Sequence, residues 1–493
     1  MEHFVTTLAL TGIVIIVASL LSGAVERSGI PLVAIFLALG AALGPFGLDL
    51  TDIELTSPAL EVLATLALVL VLFSDAVTIE VGEVRARKRL AARLLIPGTF
   101  VPAVAIALLA RWMLDVPWAH SAILGAALAS TDPVLLRSVL RARALPNAVR
   151  VALRLESGMN DVMLLPIVVM SMLLIQGGAP GAAPASAGTL GRHAVGLFLL
   201  GPSLGALVGW LGISVMTRVR SGPGVRRDYE SLYALGLAFT AYTAAEAVGG
   251  SGFLAAFAAG FMVAAQDVEL CDCFLEYGEA TAEMLLLLTF VALGTSVIWS
   301  GLTVLDGRVL LFAVIALAAR TVVLLPMLRI PGVGLAPRER RLIALFGPRG
   351  LSTLLFALLP VFAGLPGATH LFEIACVVVL LSVVVHGGGF ALFLRAHAAR
   401  DARHGTAPLA PPAAAPSPPN DAAAADDRIG IDEVRDLIAR GDATVIVDAR
   451  ADRSYRASDA QAAGAVRVSP DDPVRDATAL RLSRHATLVV YCA

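Results

Sequence analysis

Long runs of apolar residues recur from the N-terminus to about residue 395, with short polar loops between them. Each run is close to the roughly 17–25 residues that an α-helix needs to cross a bilayer. The chain is 57% hydrophobic and only 15% charged, whereas about a quarter of the residues in a soluble domain are charged. The sequence therefore predicts an all-α polytopic membrane protein with about 13 transmembrane helices. We expect spans near residues 4–24, 30–47, 58–79, 92–113, 118–140, 152–176, 192–217, 229–248, 251–266, 281–300, 308–328, 341–363 and 371–394.

Arginine residues are concentrated in alternate loops between these spans. Cytoplasmic loops of membrane proteins are enriched in Lys and Arg, so we expect the basic loops and the C-terminal tail to lie in the cytoplasm. An odd number of spans with the N-terminus outside satisfies this arrangement, which predicts a multi-pass protein of the plasma (inner) membrane. The basic loops are 80–93, 137–154, 218–227 and 329–341.

A polar break at residues 130–133 (STDP) interrupts the fifth expected span. Pro133 lacks an N–H group and clashes with the preceding turn, so a helix has to open there. Backbone groups freed at membrane depth are tolerated where they line a cavity or are satisfied by neighbouring groups. An opened helix that carries Thr131 and Asp132 is therefore a candidate cation site. The alternative is a helix N-cap at the membrane edge, because this residue pattern is also a helix start signal.

A second polar cluster, at residues 156–161 (ESGMND), lies in the sixth expected span. An ionisable residue in hydrocarbon is costly and marks a candidate functional site by default. On a helix Glu156 and Asn160 share a face, with Asp161 one step round. The alternative is a cytoplasmic cap in front of a helix that begins near Val162.

Arg320 lies inside the eleventh expected span. Its guanidinium cannot lose its proton, so at membrane depth it needs a carboxylate partner, and Glu156 is the candidate. Snorkelling to the interface is the alternative. Residues 347–350 (GPRG) then break the twelfth span around Arg349. Interrupted segments in corresponding positions of two halves are a sequence signature of a transporter with inverted repeats.

Together these motifs resemble the cation/proton antiporter superfamily, in its NhaP/NHE-type monovalent branch, over about residues 1–395. The resemblance implies a six-helix core with two crossed discontinuous helices, a dimerisation domain and a homodimer that works by alternating access. It also implies a monovalent cation at Asp161 and Asp132, and a structural ion pair between Glu156 and Arg320. The residues implied to bind the ion or proton are Asp161, Asp132, Thr131, Asn160, Ser157 and Glu156, with Arg349 in a structural or gating role.

Asp161 can hold a proton or a cation but not both, which is the chemistry that an exchanger needs. The single lysine, Lys88, lies in a loop, so no lysine in a span is available to carry a second proton. One proton per cation is therefore the simplest stoichiometry, and we expect electroneutral exchange. The resemblance favours Na⁺ over K⁺ or Li⁺, in the service of pH and cation homeostasis. No cofactor and no nucleic-acid partner is expected.

The composition changes after residue 400. A Pro/Ala-rich stretch at 406–425 reads as a semi-extended linker, which divides the chain into a membrane domain at 1–398, a linker at 399–427 and a soluble α/β domain at 428–493. The runs at 445–447, 464–468 and 488–491 predict short strands. The tail resembles a rhodanese domain that is incomplete at its C-terminal end, and this resemblance makes Cys492 the candidate sulfur-carrying nucleophile.

In this interpretation the membrane domain is a transporter and not an enzyme. Two other functions are alternatives to cation/proton antiport. One is a membrane-anchored sulfurtransferase or sulfur-sensing module that retains a transport core. The other is a K⁺-selective efflux protein that is gated by its tail.

Overall fold

The computed structural model describes most of the membrane-associated part of the chain and several short segments of the tail. The first expected span, the linker, Pro133 and Cys492 lie largely or wholly outside the described residues. The described residues are 12, 16, 20, 32–50, 53–79, 82, 84, 87–132, 135–136, 140, 145–177, 187–220, 227–266, 272–330, 334–403, 434, 437, 444–450, 455, 461–469, 473–480, 482 and 486–491.

The chain divides into two compact units, Met1–Thr406 and Ala407–Ala493. All regular secondary structure in the described part of the first unit is helical. Its helices are α1 (Leu32–Leu43), α2 (Pro58–Val77), α3 (Lys88–Leu95), α4 (Pro97–Met113), α5 (Trp118–Ala129), α6 (Asn147–Gly177), α7 (Ala187–Val195), α8 (Gly201–Arg220), α9 (Arg227–Ala247), α10 (Gly252–Ala265), α11 (Asp272–Thr295), α12 (Gly307–Arg329), α13 (Pro337–Leu345), α14 (Leu351–Phe362) and α15 (Ala368–Arg403), with a π-helical turn at Gly196–Leu200 and a 3₁₀ segment at Val297–Val304.

Six helical stretches among the described residues are long and apolar enough to cross a membrane, and a seventh arises if Thr281–Thr295 and Val297–Val304, which meet at a bend of 48°, form one span. Shorter apolar helices accompany them, including α5 and α14. This confirms a polytopic helical membrane fold, whereas the full number of 13 spans stays a prediction. The last helix, α15, continues to Arg403, past the expected domain boundary at residue 398.

Two helices are interrupted, as the sequence predicts. α5 ends at Ala129, and Ser130 is already extended, with ψ of 138°. On the other side α13 ends at Leu345 and α14 begins at Leu351, so residues 346–350 form a non-helical bridge. The half-helices α5 and α14 pack against each other, which brings the two breaks to one place.

α6 is a single helix of 31 residues from Asn147 to Gly177. The alternative interpretation, a cap in front of a helix that begins near Val162, is therefore wrong. The turns at 147–155 are held in an apolar cluster with the end of α12 and with α13, to which Val149, Leu153, Leu324 and Ile343 belong. Packing of these turns extends the helix through the polar cluster and brings α6 beside α12.

Small residues let several helices approach backbone to backbone. In α8, a Cβ added at Gly205 would overlap the backbone of Ala255 in α10, and one at Gly209 would come within 2.6–3.1 Å of the backbone of Ala259. These residues recur every four positions on both helices and therefore share a face. Glycine is required there by close approach, not by an unusual backbone conformation.

The tail contains a small parallel sheet of β1 (Thr444–Asp448), β2 (Val466–Arg467) and β3 (Thr487–Tyr491) in the order β2-β1-β3. A short helix, α16 (Pro473–Ala479), precedes β3. The three predicted strands are thus present, in an α/β arrangement. α16 was not predicted from the sequence.

Candidate functional site

The polar cluster of α6 lies on one buried face of the helix. Glu156, Ser157, Asn160 and Asp161 are each 1–3% exposed. Glu156, Asn160 and Asp161 persist at this depth because each meets a partner from another broken or crossing helix, as buried polar groups require. The cluster and the two helix breaks therefore form one site.

The break after α5 satisfies two of these side chains. Ser130 donates from its hydroxyl to Asp161 Oδ1. Asn160 donates from Nδ2 to Thr131 Oγ1 at 2.6 Å. Thr131 and Asn160, which the resemblance assigns to the ion site, are therefore joined directly to each other.

Asp132 connects the first break to the second. Its N–H donates to the carbonyl of Pro348 at 3.0 Å, and its Oδ2 accepts from the N–H of Leu351, the first residue of α14, at 2.6 Å. A Cβ added at Gly350 would overlap the Asp132 carboxylate, so only glycine allows this approach. One oxygen of Asp132 thus caps a helix N-terminus, where the helix dipole favours negative charge.

Arg349 makes the reciprocal connection. Its Nη1 donates to the carbonyls of Ala129 and Ser130 at 3.0 and 2.8 Å, at the end of α5. Its main-chain N–H donates to Ser382 Oγ on α15 at 2.7 Å. The side chain is buried, and it complements the negative end of the α5 dipole.

Glu156 and Arg320 form a buried bidentate ion pair. Arg320 Nε and Nη2 donate to Glu156 Oε1 and Oε2 at 2.7 and 2.6 Å, and Nη1 donates to the carbonyl of Ala344 at 2.9 Å. The two side chains are 3–4% exposed. A Cβ on Gly347 would lie 2.6–2.7 Å from the Arg320 guanidinium. The structure thus brings together the pair expected from the sequence, and both carboxylate oxygens of Glu156 are engaged by arginine.

Several buried polar atoms at this crossing have no hydrogen-bond partner in the described part of the chain. They include Asp161 Oδ2, Asn160 Oδ1 and Thr353 Oγ1, and also Nε and Nη2 of Arg349. Ser352, next to Thr353 at the start of α14, interacts with Asp161. A buried polar atom without a partner is costly, and carboxylate, amide and hydroxyl oxygens are ligands suited to a hard cation. The arrangement can therefore accept a small cation or a proton at Asp161.

Ser157 stands slightly apart from this set, because its hydroxyl donates to the carbonyl of Arg154 in its own helix at 3.3 Å. Thr353 and Asp75 are additions that sequence reasoning missed as site residues. Asp75 in α2 lines an open pocket together with Arg87, Arg154 and Leu155, and it packs near Gly158. Its signal was available, since Asp75 is an aspartate in an apolar helix.

The tail carries a separate polar cluster at the carboxyl ends of its strands. Arg450 donates from Nε and Nη2 to Asp448 at 3.0 and 2.7 Å, and Tyr491 donates from its hydroxyl to Asp448 Oδ2 at 2.9 Å. The hydrogen bonds from Arg450 hold the pKa of the Asp448 carboxyl well below its usual range. Cys492, the expected nucleophile, follows Tyr491 but lies outside the described residues.

Comparison with known proteins points in one direction for the membrane-associated part of the chain. A family model described as "Sodium/hydrogen exchanger, transmembrane" matches residues 13–396. The K(+)/H(+) antiporter NhaP2 of Shewanella sp. (strain MR-4) is 29% identical over 376 residues, which cover 75% of this chain and 63% of that protein. The K(+)/H(+) antiporter NhaP of Alkalimonas amylolytica is 27% identical over 393 residues, which cover 78% and 66%. The chain thus spans less than two thirds of the length of these relatives.

Among solved structures, the sodium proton antiporter MjNhaP1 from Methanocaldococcus jannaschii at pH 8 superposes with a TM-score of 0.61. The match covers 79% of this chain and 100% of that one at 20% sequence identity. At this identity the likeness shows a common fold and leaves the activity to be argued from the site.

Proposed function

This chain belongs to the sodium/hydrogen exchanger family, and from that premise we propose that it is a secondary active antiporter that exchanges a monovalent cation for protons. The observation that carries the proposal is the environment of Asp161. Its carboxylate is buried at the crossing of two helix breaks, and its Oδ2 has no hydrogen-bond partner among the described residues. Such a carboxylate is stabilised when it binds a positively charged species, either a proton or a cation.

The exchange follows from competition for this one group. With a cation bound, the charge of Asp161 is neutralised by the cation, and oxygens such as Asn160 Oδ1 are available to complete its coordination. With a proton bound, the carboxyl is neutral and holds no cation. A carrier that reorients only when Asp161 is neutralised moves one species in each direction, because an uncompensated charge is costly to move through a low-dielectric barrier.

The other buried charges act as scaffold in this proposal. Arg320 is neutralised by Glu156, so this pair contributes no mobile charge. Asp132 and Arg349 fix the two broken helices at the crossing, with the charge of Asp132 adding negative potential near the site. Since the only lysine, Lys88, lies outside the site, one proton per cation is the proposed stoichiometry and exchange is electroneutral.

Sodium is the proposed cation, in line with the family description and with the name of the solved structural neighbour. Potassium is the second candidate, because the two curated relatives described above carry K(+)/H(+) antiporter names. The ligand oxygens suit either ion, and the dimensions and field strength of the site decide between them.

The assembly and the tail are proposals of the same kind. We propose a homodimer in the plasma membrane, with a cytoplasmic tail that is dispensable for exchange, since every proposed ligand lies in the membrane unit. Truncation after Arg403 should keep cation-dependent proton flux. Sulfur chemistry at Cys492 would instead show as a response to thiosulfate that Cys492→Ser abolishes.

The test is proton flux in reconstituted vesicles with an imposed pH gradient, to which Na⁺, K⁺ and Li⁺ are added in turn. Wild-type protein should dissipate the gradient on addition of Na⁺, and Asp161→Asn should not. Asp115→Asn is the matched control, since Asp115 is exposed and its φ of 54° is tolerated by asparagine. No response of the wild-type protein to any of the three cations, or full activity of Asp161→Asn, would contradict the proposal.

A further inference from the structure

A serine and a histidine on α15 face the second helix break. Ser382 is fully buried, and its Oγ lies 3.1 Å from Nδ1 of His386, one turn later. The same Nδ1 lies 3.2 Å from the main-chain oxygen of Ser382. His386 is partly buried. Neither residue belongs to the motifs described above, and the hydrogen bonds that the described residues show for this pair involve no proposed cation ligand.

This pair is connected to the site through Arg349. The N–H of Arg349 donates to Ser382 Oγ, and its guanidinium holds the carbonyls of Ala129 and Ser130. Ser130 in turn donates to Asp161. A continuous series of hydrogen bonds and one arginine side chain therefore joins His386 to the carboxylate at the crossing.

The protonation of Nδ1 determines how Ser382 is used. A serine hydroxyl has one proton to donate and two lone pairs, and one lone pair of Ser382 accepts from Arg349. When Nδ1 is unprotonated, it accepts the Ser382 proton, and a lone pair of the hydroxyl oxygen is directed at the Arg349 N–H. When Nδ1 carries a proton, the ring donates, either to the Ser382 carbonyl or to Oγ itself, and the hydroxyl loses its acceptor on the histidine. The direction of the hydrogen bond then reverses.

The charges around His386 make its protonation consequential. The elements packed against α15 are α5, α12, α14 and the 3₁₀ segment. α14 and the 3₁₀ segment carry no ionisable side chain, and His120 of α5 is bonded to the Pro366 carbonyl. The charged groups that act on His386 are Arg320 of α12 and Arg349 of the non-helical bridge before α14, both cationic. Protonation of the ring therefore adds a further positive charge at the place where Arg349 is anchored.

We propose that His386 is a positioning residue for the exchange reaction. Through Ser382 it holds Arg349 and the non-helical bridge at residues 346–350 in place. This hold loosens when the His386 ring gains a proton. The inference rests on the proposed antiport function, which it deepens by adding a site through which pH adjusts the rate. The direct proton and cation site remains Asp161.

The test compares His386→Gln, Ser382→Ala and the double variant with wild-type protein in reconstituted vesicles. The exchange rate is measured between about pH 4 and 8, a range that extends below that of an unperturbed imidazole, because the cationic Arg349 and Arg320 oppose the addition of a proton to the ring. Glutamine keeps hydrogen-bonding capacity but does not titrate. The ratio of the rates at the two ends of this range should change by about fivefold or more in His386→Gln, at the low end of typical coupling between sites. Ser382→Ala should change it in the same direction, and the double variant should add nothing.

The control is His370→Gln on the same helix, where the histidine is exposed and lies 3.5 Å from Glu373; it should keep the wild-type pH profile. A wild-type profile in His386→Gln would overturn the proposal. So would a drop in rate by the same factor at every pH, since that is what a loss of packing alone would cause. If His386→Gln does not insert, Ser382→Ala, which removes one oxygen atom, carries the same test.

A second measurement separates this inference from the proposed function. Melting temperatures of the four purified proteins form a double-variant cycle that needs no transport. Coupling between His386 and Ser382 at about pH 8 that disappears at about pH 4 would support the positioning role even if the wild-type protein exchanges none of the tested cations. Equal coupling at both pH values, or none at either, would overturn it whatever the transport result.

Discussion

Asp132, which follows α5, caps the start of α14, and Arg349, which precedes α14, caps the end of α5. The Asp132 carboxylate accepts from the first N–H of α14, and the Arg349 guanidinium donates to the last carbonyls of α5. The residues are 217 positions apart in the sequence. In a membrane there is no water to satisfy such ends, so this exchange of caps is what permits two broken helices to meet.

Substitutions can separate the two roles of Asp132, which are to cap the start of α14 and to place a negative charge near the cation site. Asp132→Asn keeps an oxygen that accepts from Leu351, so the melting temperature should stay near the wild-type value. The apparent affinity for the cation should fall, because negative charge beside the site is lost. Asp132→Ala removes the cap as well and should cost about 1 kcal/mol more in stability. Thermal unfolding and the cation dependence of proton flux measure the two effects. Equal destabilisation by Asn and Ala would contradict the capping role.

The neighbour of the transport carboxylate tests the stoichiometry. Asn160→Asp adds a second carboxylate next to Asp161, yet no lysine lies in the described helices of the site to balance it. We expect this variant to fold. Its cation/proton exchange should be slower than that of the wild type and should not become electrogenic. Flux driven by an imposed membrane potential in Asn160→Asp vesicles would count against one proton per cation, and wild-type vesicles under the same potential are the reference.

The buried ion pair should behave as a unit. Removal of one partner leaves an uncompensated buried charge, which costs about 3–5 kcal/mol, whereas replacement of both partners can be nearly neutral. Glu156→Gln and Arg320→Gln should each lower the melting temperature strongly, and the double variant should recover part of the loss. Losses that simply add would mean that the two side chains stabilise the fold independently.

Helix packing can be tested with a pair of alanine substitutions. In Gly205→Ala the new methyl group overlaps the backbone of Ala255, while in Gly236→Ala it meets open space. The first should destabilise the protein, because a backbone cannot move aside as a side chain does. The second should raise stability by about 0.5–1 kcal/mol, the usual gain from alanine over glycine in a helix. Melting temperatures that rank the two variants in the opposite order would show that α8 and α10 are not in this close contact.

The tail offers a prediction about pH. Because the folded-state pKa of Asp448 is depressed, its pairing with Arg450 stabilises the tail fully above the unfolded-state pKa of about 3.9. This stabilisation is lost as the pH falls from there through the folded-state pKa. Arg450→Gln should therefore raise the rate of amide hydrogen exchange in β1 and β3 at neutral pH. In this variant the protection of these amides should change less, as the pH is lowered, than in the wild type. Hydrogen–deuterium exchange of the full chain measures this, with Gln461→Ala on the tail surface as control. Equal protection in both variants at neutral pH would sink the prediction.

The resemblance to an antiporter rests on residues whose placement could be argued locally. Pro133 and the glycines around Arg349 predict helix breaks from their own backbone chemistry. Arg320 needs a carboxylate partner because its guanidinium cannot lose its proton, and this argument identified Glu156 as the candidate. The start of α6 was harder, because the turns at 147–155 are stabilised by packing against α12 and α13, a contact with no local signal.

What the sequence determined by itself was the class of protein, the two breaks and the buried carboxylates, since hydrocarbon penalises polar groups wherever they lie along the chain. Only the tertiary structure decided which polar group satisfies which. Asp132 caps α14, Arg349 caps α5, and Ser382 and His386 reach the crossing from a helix that looked merely apolar. These choices depend on hydrogen bonds of about 3 Å between segments distant in sequence, and a distance of that kind exists only after the helices have packed.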